Sequence, residues 1–331
     1  MILVTGATGH LGANLVRRLL EDGEPVRVLV REGTDARAVD GLAVERAWGD
    51  IRDYAKTLAA VRGCQRVYHC AAKVSSAEGQ HREIYETNVL GTRHVLRAAR
   101  EAGVSRVVVT GSFSAVGHDP TRPVDETVPV DPFAKLLPYQ RSKVAVEHEC
   151  LKAVVEGLDV VVATSCAILG PNDFHPSRMG QLLLDFANGR LRAYIPGGFE
   201  FVAARDIAEG HRLAMEKGRT GQKYIFSTEF KTVDEIMDIY ETVTGRSRPR
   251  LRLPAALMLG IAHVAALAFR AVAPSAPQRF TPGAVRILRM QRRANIAKAR
   301  TELGYQPTSI RQAIEAQYAF FAAQGWIRRP R

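Results

Sequence analysis

Three side chains, in a fixed order along the chain, have the types and spacing needed for acid–base chemistry. Tyr139 and Lys143 are four residues apart, so a helix places them on one face. A tyrosine acts as an acid or base near neutral pH only when its phenolate is stabilised, and a lysine one helical turn away supplies the positive charge. Ser112 follows an apolar segment and can hold a carbonyl or hydroxyl oxygen while a hydride moves. Because tyrosine–lysine pairs are also common on solvated helices, the order of the motifs decides the interpretation.

A glycine-rich turn at the start of the chain has the features of a phosphate site. Residues 2–4 are apolar, as in a buried parallel strand. Gly6, Gly9 and Gly12 follow at three-residue spacing, and residues 13–20 have helical apolar spacing. A strand that turns into a helix through glycines directs backbone N–H groups and the positive end of the helix dipole at one point. We therefore predict a pyrophosphate-binding turn; the alternative is a glycine turn without a ligand.

Strand and helix patterns alternate along the N-terminal half of the chain. The predicted strands are residues 2–4, 26–30, 44–48, 67–70, 106–110 and 159–166, and the later helices are predicted over 83–102 and 138–157. This alternation predicts an α/β fold with a Rossmann-type doubly wound parallel sheet. We assign residues 1–170 to a dinucleotide-binding domain and 171–331 to a smaller, mostly helical substrate-binding part. A segment at about 201–230 is expected to return to the Rossmann core.

Charge and cysteine content limit the class of protein. The chain has 331 residues and a net charge of +12, and residues 270–331 hold twelve Lys or Arg against two acidic residues. Because the excess charge lies in one terminal segment, the composition does not favour a nucleic-acid-binding protein. The first strand starts at residue two, so no signal peptide is expected. The wide spacing of the cysteines favours reduced thiols in a cytoplasmic protein and no metal site: Cys64, Cys70, Cys150 and Cys166.

The basic segment follows an uncharged one. Residues 253–269 contain no charged residue and are flanked by Arg252 and Arg270. Seventeen alanine-rich residues fall short of the roughly 20 strongly apolar residues of a membrane span, so a buried or interface helix is favoured. Arginines recur further on at helical spacing, at Arg286, Arg289, Arg292 and Arg293. They fit a solvated face or, together with the apolar segment, peripheral contact with an anionic membrane surface.

Further motifs along the chain complete a family pattern. They are T-G-x-x-G-x-x-G at 5–12, Gly49-Asp50, Asn88 in T-N-V-x-G-T, Tyr139-x-x-x-Lys143, Gly170-Pro171, and K-A-x-x-x-L-G-Y-x-P at 298–307. Together they resemble extended short-chain dehydrogenase/reductases of the NAD-dependent epimerase/dehydratase type, over almost the whole chain. The nearest members are dihydroflavonol-reductase-like, 3β-hydroxysteroid-dehydrogenase-like and hopanoid-associated epimerase-like. The resemblance implies a nicotinamide dinucleotide and an oxidoreductase reaction, and it makes Asn88 mainly structural.

The resemblance also implies roles for the acid–base residues. Tyr139 matches the catalytic acid/base, and Lys143 matches the residue that lowers its pKa and binds the ribose. Ser112 lies five residues before Gly117, as the family's catalytic serine lies before the glycine of its V-Y-G-like segment. Ser114 is the nearby competitor, and we prefer Ser112 on this spacing.

Arg31 bears on the choice of dinucleotide. The residue that ends the second strand faces the adenosine ribose in dinucleotide folds, where an arginine suits a 2′-phosphate. Arg31, with Arg37 as a second candidate, therefore favours NADP(H); Glu32 beside it keeps NAD(H) as the alternative. The residues expected to contact the dinucleotide are Gly6, Thr8, Gly9, His10, Leu11, Gly12, Arg31, Asp50, Ile51, Ala71, Ala72, Tyr139, Lys143, Cys166 and Ile168.

Departures from the family pattern narrow the substrate. Nucleotide-sugar dehydratases carry Thr-Asp-Glu where this chain has Ser-Phe-Ser at 112–114, so the extra acid/base pair for eliminating water is missing. Nucleotide-sugar epimerases carry a diphosphate-binding arginine where this chain has Phe199. Apolar residues in the substrate-side loops favour an aromatic, polycyclic or isoprenoid substrate. The predicted substrate-binding residues are Ser114, Phe133, Phe174, Met179 and Phe199.

Three functions are compatible with these residues. We favour an NAD(P)H-dependent reductase or dehydrogenase acting on a carbonyl or secondary alcohol of a lipophilic metabolite. A sugar or nucleotide-sugar epimerase with tightly bound NAD uses the same residues and is the alternative. A non-enzymatic redox-sensing protein ranks last, because such proteins often lack the tyrosine–lysine pair. Relatives commonly pair through the helices predicted at 83–102 and 139–156, so the resemblance also implies a homodimer.

Overall fold

Parallel strands and helices alternate through the N-terminal half, as the sequence pattern predicts. The computed structural model describes residues 1–75, 80–131, 133–134, 136–254 and 282–328. The strands of this half are β1 (Ile2–Thr5), β2 (Val26–Val30), β3 (Glu45–Trp48), β4 (Arg66–His69), β5 (Arg106–Ser112) and β6 (Val160–Ser165). Its helices are α1 (His10–Glu21), α2 (Tyr54–Val61), α3 (His81–Tyr85), α4 (Gly91–Glu101) and α5 (Pro138–Val155).

The C-terminal half adds short strands and five further α-helices among the described residues. The strands are β7 (Ala167–Leu169), β8 (Ala193–Tyr194), β9 (Gly198–Ala203), β10 (Lys223–Phe226), β11 (Glu229–Thr232) and β12 (Leu251–Arg252). The helices are α6 (Arg178–Ala187), α7 (Ala204–Lys217), α8 (Val233–Thr244), α9 (Pro282–Met290) and α10 (Ile310–Ala323). This half also contains a three-stranded sheet in the order β11-β9-β7, which the sequence analysis did not predict.

Seven strands form one parallel sheet in the order β10-β6-β5-β4-β1-β2-β3. Apolar side chains alternate between its faces, so Val4 of β1 packs in a cluster with Leu15 of α1, and Leu3 packs in a second cluster with Val95 of α4 and Val146 of α5. The strand order reverses between β1 and β4, where ligands of doubly wound sheets bind in the crevice outside the carboxyl ends. The predicted Rossmann-type fold is confirmed.

A segment of the C-terminal half packs with the central sheet. β10 extends the sheet beside β6, and Arg18 of α1 donates to a carboxylate oxygen of Glu209 on α7 at 3.1 Å. Lys298 Nζ donates to the Lys223 carbonyl at 3.0 Å, so the basic residue of the K-A-x-x-x-L-G-Y-x-P ending binds the edge strand. The division of the chain near residue 170 stays a prediction.

The helix predicted over 83–102 is divided by a change of helical type. α3 ends at Tyr85, a π-helical turn covers Glu86–Leu90, and α4 begins at Gly91. Such turns inside helices occur frequently at functional sites. This one contains Asn88, whose side chain is 1% exposed. The apolar spacing of the sequence does not separate this turn from a continuous α-helix, so the division was not predicted.

The four arginines that were predicted to lie on one helical face do not lie on a common face. They are Arg286, Arg289, Arg292 and Arg293. α9 ends at Met290, and the next residue, Gln291, has φ 43°, a left-handed conformation that does not continue a helix. Arg292 and Arg293 therefore lie beyond the helix. The prediction of a single basic face was wrong because the helix ends between its two halves.

The predicted membrane and dimer contacts stay predictions. Most of the uncharged segment lies in residues 255–281, outside the described part of the chain. Across the described residues, the helices are too short or too polar to cross a membrane. On α5, one of the two helices for which the resemblance implies a dimer contact, Leu151 and Val155 are 51% and 88% exposed.

Gly9 and Gly12 form a matched pair that tests the glycine turn. A Cβ at Gly12 would lie 2.2 Å from the Gly6 carbonyl oxygen, whereas a Cβ at Gly9 would lie 3.3 Å from the same atom. We expect Gly12→Ala to destabilise the fold by roughly 1–3 kcal/mol and to abolish stabilisation by NADPH. Gly9→Ala should retain most of the folding stability and most of the stabilisation by NADPH. Thermal unfolding with and without NADPH measures this. Equal effects of the two substitutions would contradict the described turn.

Candidate active site

The turn after β1 approaches the segment after β4 closely at Gly6. This residue has φ +71°, and a Cβ placed on it would lie 2.6 Å from the Ala71 backbone nitrogen. Only glycine combines the left-handed conformation with such a close approach of two backbones. The turn after β1 is therefore held against the segment after β4, where Ala71 and Ala72 were predicted to contact the dinucleotide.

The N-terminus of α1 is open for an anion. Gly9 is its N-cap residue, and in the described part of the chain no side chain caps this helix and no acidic residue lies in its first turn. Unsatisfied backbone N–H groups and the helix dipole bind phosphate at such a terminus. The turn from Gly6 to Gly12 therefore fits the pyrophosphate of a nicotinamide dinucleotide.

His10 directs its imidazole at protein groups. Its Nε2 atom lies 3.1 Å from the carbonyl oxygens of both Gly170 and Pro171. Because carbonyls only accept hydrogen bonds, Nε2 is the donor, and His10 ties α1 to the segment after β7. A contact of its side chain with the dinucleotide stays a prediction. The other predicted cofactor residues at this edge of the sheet are Thr8, Leu11, Ala72, Cys166 and Ile168.

Two arginines lie near Asp50, at the end of the site predicted for adenosine. Arg52 makes a bidentate contact with the Asp50 carboxylate, with Nε 3.0 Å from Oδ1 and Nη2 2.7 Å from Oδ2. The Arg52 hydrogen bond, assisted by the charge of Arg31, lowers the pKa of Asp50. Arg31 is exposed directly after β2, and Ile51 is buried. The sequence analysis missed Arg52.

Lys143 carries a buried ammonium group at the end of β5. Its side chain is 5% exposed, and Nζ donates to the Thr110 carbonyl at 2.8 Å. Burial lowers the pKa of Lys143 to about 8, so most of the molecules are still charged at pH 7. The Thr110 hydroxyl lies 2.8 Å from Nε2 of the buried His211, which fixes the strand residue from the other side.

Tyr139 lies in the first turn of α5, directly after Pro138. Proline is favourable at the first helical position because its missing N–H needs no partner there. Burial raises the pKa of Tyr139, and its hydrogen bond with the Ser112 hydroxyl acts in the opposite direction. Ser112 Oγ lies 2.8 Å from Ser114 Oγ. The structure thus brings Ser112, Ser114, Tyr139 and Lys143 together.

Asn88 connects this group to the segment after β4. Its Oδ1 atom accepts from the Lys73 N–H at 2.7 Å, and its Nδ2 atom donates to the Lys73 carbonyl at 3.0 Å and to Ser142 Oγ at 2.9 Å. Ser142 Oγ donates to the Tyr139 carbonyl at 2.7 Å. These contacts agree with the mainly structural role that the resemblance implies for Asn88.

Arg292 holds the loop that follows Ser112. Its Nη2 atom donates to the carbonyls of Val116 at 2.7 Å and Gly117 at 2.6 Å, and its guanidinium lies 4.6 Å from the centre of the Phe113 ring. Burial lowers the pKa of Arg292 to about 10. The helical spacing of the arginines predicted a solvated face for Arg292. Its contacts are with residues more than 170 positions away, and such contacts leave no local pattern in the sequence.

Two of the predicted substrate-binding residues, Ser114 and Phe133, differ in their surroundings. Ser114 contacts Ser112 and so lies beside the residues that are predicted to be catalytic. Phe133, in contrast, has a side chain that is 91% exposed on the loop before α5. A role of Phe133 in substrate binding stays a prediction.

The other three predicted substrate-binding residues, Phe174, Met179 and Phe199, pack in the apolar cluster of the C-terminal half or at its border. The Phe174 ring lies edge-on to Phe320 at 5.0 Å, and the Phe199 ring lies edge-on to Phe201 at 5.9 Å. Met179 packs at the rim of the same cluster. These contacts are structural, and contact with a substrate stays a prediction for all three.

Comparisons with known proteins identify the family of the chain. The sequence model of the NAD dependent epimerase/dehydratase family matches residues 2–226. The chain belongs to this family. It is an enzyme of the extended short-chain dehydrogenase/reductase type, with a nicotinamide dinucleotide as cofactor, as its motifs implied.

Individual relatives match almost the whole chain. Sterol demethylase protein B of Methylococcus capsulatus is 46% identical over 325 residues, which cover 98% of this chain and 99% of that protein. A 4-hydroxy-2-methyl-3-oxo-4-farnesyl-3,4-dihydroquinoline-1-oxide ketoreductase of Stigmatella aurantiaca is 31% identical over 310 residues, with coverages of 91% and 90%. The crystal structure of gox2253 superimposes with a TM-score of 0.87 at 32% identity and covers 99% of each chain.

Replacing Lys143 by methionine gives a test of its burial. The pKa of about 8 lies below the ordinary value of 10.5, so between these values the unfolded state binds more protons and the stability of the native enzyme rises with pH. Methionine has no charge to bury. The stability of Lys143→Met relative to the native enzyme is therefore expected to fall by about 3 kcal/mol from pH 7 to pH 10.5. Urea unfolding across this range measures it, and a constant difference would contradict the burial of a charged lysine.

Proposed function

We propose that this protein is an NADP(H)-dependent reductase or dehydrogenase that interconverts a ketone and a secondary alcohol in a lipophilic substrate. One observation carries the proposal: Ser112, Tyr139 and Lys143 lie together at the carboxyl end of β5, beside strands whose turns fit a dinucleotide. The names of the relatives, one a sterol-demethylase component and one a ketoreductase for a farnesylated quinoline, support this class of substrate.

The mechanism assigns one task to each side chain. When bound, the nicotinamide supplies or accepts the hydride. The Ser112 hydroxyl, oriented by Ser114, holds the substrate oxygen. The Tyr139 phenol donates a proton to that oxygen in reduction and accepts it in oxidation. The Lys143 ammonium, fixed by the Thr110 carbonyl, stabilises the phenolate and binds the ribose.

The substrate side of the site favours an apolar molecule over a nucleotide sugar. Phe199 stands where a diphosphate-binding arginine is expected in nucleotide-sugar epimerases, and its ring packs against Phe201. The next residue, Glu200, accepts a hydrogen bond from Ser227 Oγ and one from the Ala294 N–H at 3.0 Å. Because successive side chains of a strand point to opposite faces, this carboxylate faces away from Phe199, and the missing arginine alone disfavours a diphosphate. Cholestan-3-one, geranylacetone and dihydroquercetin are suitable first ketones, because they represent polycyclic, isoprenoid and aromatic substrates.

The epimerase alternative uses the same three side chains and differs in its cofactor cycle. An epimerase retains NAD⁺ and regenerates it in each turnover, so added NADPH is not consumed. Two measurements separate the functions: NADPH oxidation at 340 nm with each ketone, and formation of the sugar epimer from UDP-glucose. We expect NADPH oxidation with a ketone and no epimer from UDP-glucose.

Removal of the Tyr139 hydroxyl tests the acid–base role. Tyr139→Phe is expected to lower kcat by about 10²–10⁴-fold and to leave the dissociation constant of NADPH nearly unchanged, because the ring and Lys143 remain. Steady-state kinetics and NADPH fluorescence titration measure the two quantities. Tyr54→Phe, on the surface helix α2, is the control and should retain full activity. A kcat of Tyr139→Phe close to that of the native enzyme would exclude this role.

Arg31 tests the choice of dinucleotide. Charge-assisted hydrogen bonds to a phosphate are worth about 1.5–3 kcal/mol, so Arg31→Ala is expected to raise the KM for NADPH by about tenfold or more and to leave that for NADH unchanged. Lys56→Ala removes a neighbouring exposed cation that pairs with Glu32 and serves as the control. A similar rise for both dinucleotides would show that Arg31 does not recognise the 2′-phosphate.

A further inference from the structure

A second buried histidine lies directly behind the dinucleotide turn. His69 is the last residue of β4, is 2% exposed, and is the register partner of Thr5 at the end of β1. Its Nδ1 atom lies 2.7 Å from Thr5 Oγ1, and its Nε2 atom lies 2.9 Å from Oγ1 of Thr92 on α4. Thr5 directly precedes Gly6, so one end of this contact belongs to the turn that fits the pyrophosphate.

The partners fix the direction of every hydrogen bond through His69. The Thr92 hydroxyl donates to the Asn88 carbonyl, so it has no second proton, and His69 Nε2–H must donate to it. Burial, with a smaller effect of the Lys143 charge, lowers the pKa of His69 to about 3. The neutral imidazole therefore accepts at Nδ1 from the Thr5 hydroxyl. Each polar group in this buried series of hydrogen bonds therefore has a defined role as donor or acceptor.

The chain of hydrogen bonds continues to the catalytic helix. The Thr92 hydroxyl holds the backbone of Asn88 within the π-helical turn Glu86–Leu90. The Asn88 side chain donates to Ser142, whose hydroxyl donates to the Tyr139 carbonyl. An uninterrupted path of contacting residues thus leads from the end of β1 to Tyr139. We name it the His69 path, and its members are Thr5, His69, Thr92, Asn88 and Ser142.

We propose that His69 is a positioning residue that couples the dinucleotide turn to Tyr139 through the His69 path. The proposal rests on the proposed function, because it concerns the placement of Tyr139 as the acid–base group. His69 touches neither substrate nor dinucleotide in this role. Through Thr92 it fixes the position of the π-helical turn Glu86–Leu90 relative to β4. The position of this turn then fixes the distance between the phenol of Tyr139 and the hydroxyl of Ser112.

Thr92 offers a matched pair of substitutions that tests the path without removing the imidazole. Thr92→Val keeps the volume and removes the hydroxyl, whereas Thr92→Ser keeps the hydroxyl and removes a methyl group. Misplacement of a reacting group by about 1 Å can cost 10²-fold in rate, so we expect a kcat at least tenfold lower for Thr92→Val, with KM and NADPH affinity changed less than twofold. Thr92→Ser should retain most of kcat.

The pH dependence separates positioning from a loss of stability. In alcohol oxidation the rate rises as Tyr139 ionises, and the Ser112 hydrogen bond lowers the pKa of Tyr139. A displaced α5 weakens that bond, so the rising limb of the Thr92→Val profile should move to higher pH. A purely structural role would lower the unfolding temperature and leave the limb in place. An unchanged limb, or equal losses of kcat in the two variants, would overturn the proposal.

A measurement without turnover keeps the proposal separate from the proposed function. If the native enzyme reduces none of the three ketones, the proposed function fails, and hydrogen exchange of the peptide covering 138–145 in the free protein tests the path. Faster exchange in Thr92→Val than in both Thr92→Ser and the native protein supports the coupling. Equal exchange in all three overturns it.

Discussion

A lysine ammonium that is almost fully buried needs acceptors from the protein, and Lys143 has the Thr110 carbonyl at 2.8 Å. This contact sets where α5 crosses the end of β5. Tyr139 lies on the same helix one turn earlier, and Ser112 lies two residues after Thr110 on the same strand. The three side chains of the acid–base group therefore meet because one buried charge is held at one strand end. His211, behind Thr110, supports this strand residue from α7.

The dinucleotide turn lies beside this group and depends on two close backbone approaches. Gly6 lets β1 turn against the segment after β4, and Gly12 lets α1 begin close to the Gly6 carbonyl. Because β1, β4 and β5 are neighbours in the sheet, the turn and the acid–base group open on the same crevice. The family membership of the chain and this geometry lead to the same class of reaction.

Local sequence patterns predicted the parts of the site that depend on short spacing. The glycine turn and the Tyr139–Lys143 pair follow from spacings of three and four residues, and six strands of the central sheet follow from short apolar segments. The structure describes them at or near the predicted positions. The contacts of Arg292 and His69 join residues that are far apart in the sequence, so their roles could not be deduced from spacing. Arg52 contacts Asp50 only two residues away, but this pair matches none of the motifs on which the predictions were based. The basic helical face was wrong because Gln291 adopts a left-handed conformation that sequence periodicity does not reveal.

The proposed hydride transfer is tested by following deuterium from NADPH labelled at the nicotinamide C4 position to a ketone. We expect the label on the carbinol carbon of the product, in an amount equal to the NADP⁺ formed. We also expect only one of the two C4 positions to donate the label, because one fixed crevice holds the dinucleotide. An enzyme that contains bound NAD⁺, interconverts sugar epimers and transfers no label from added NADPH would contradict the proposed reaction.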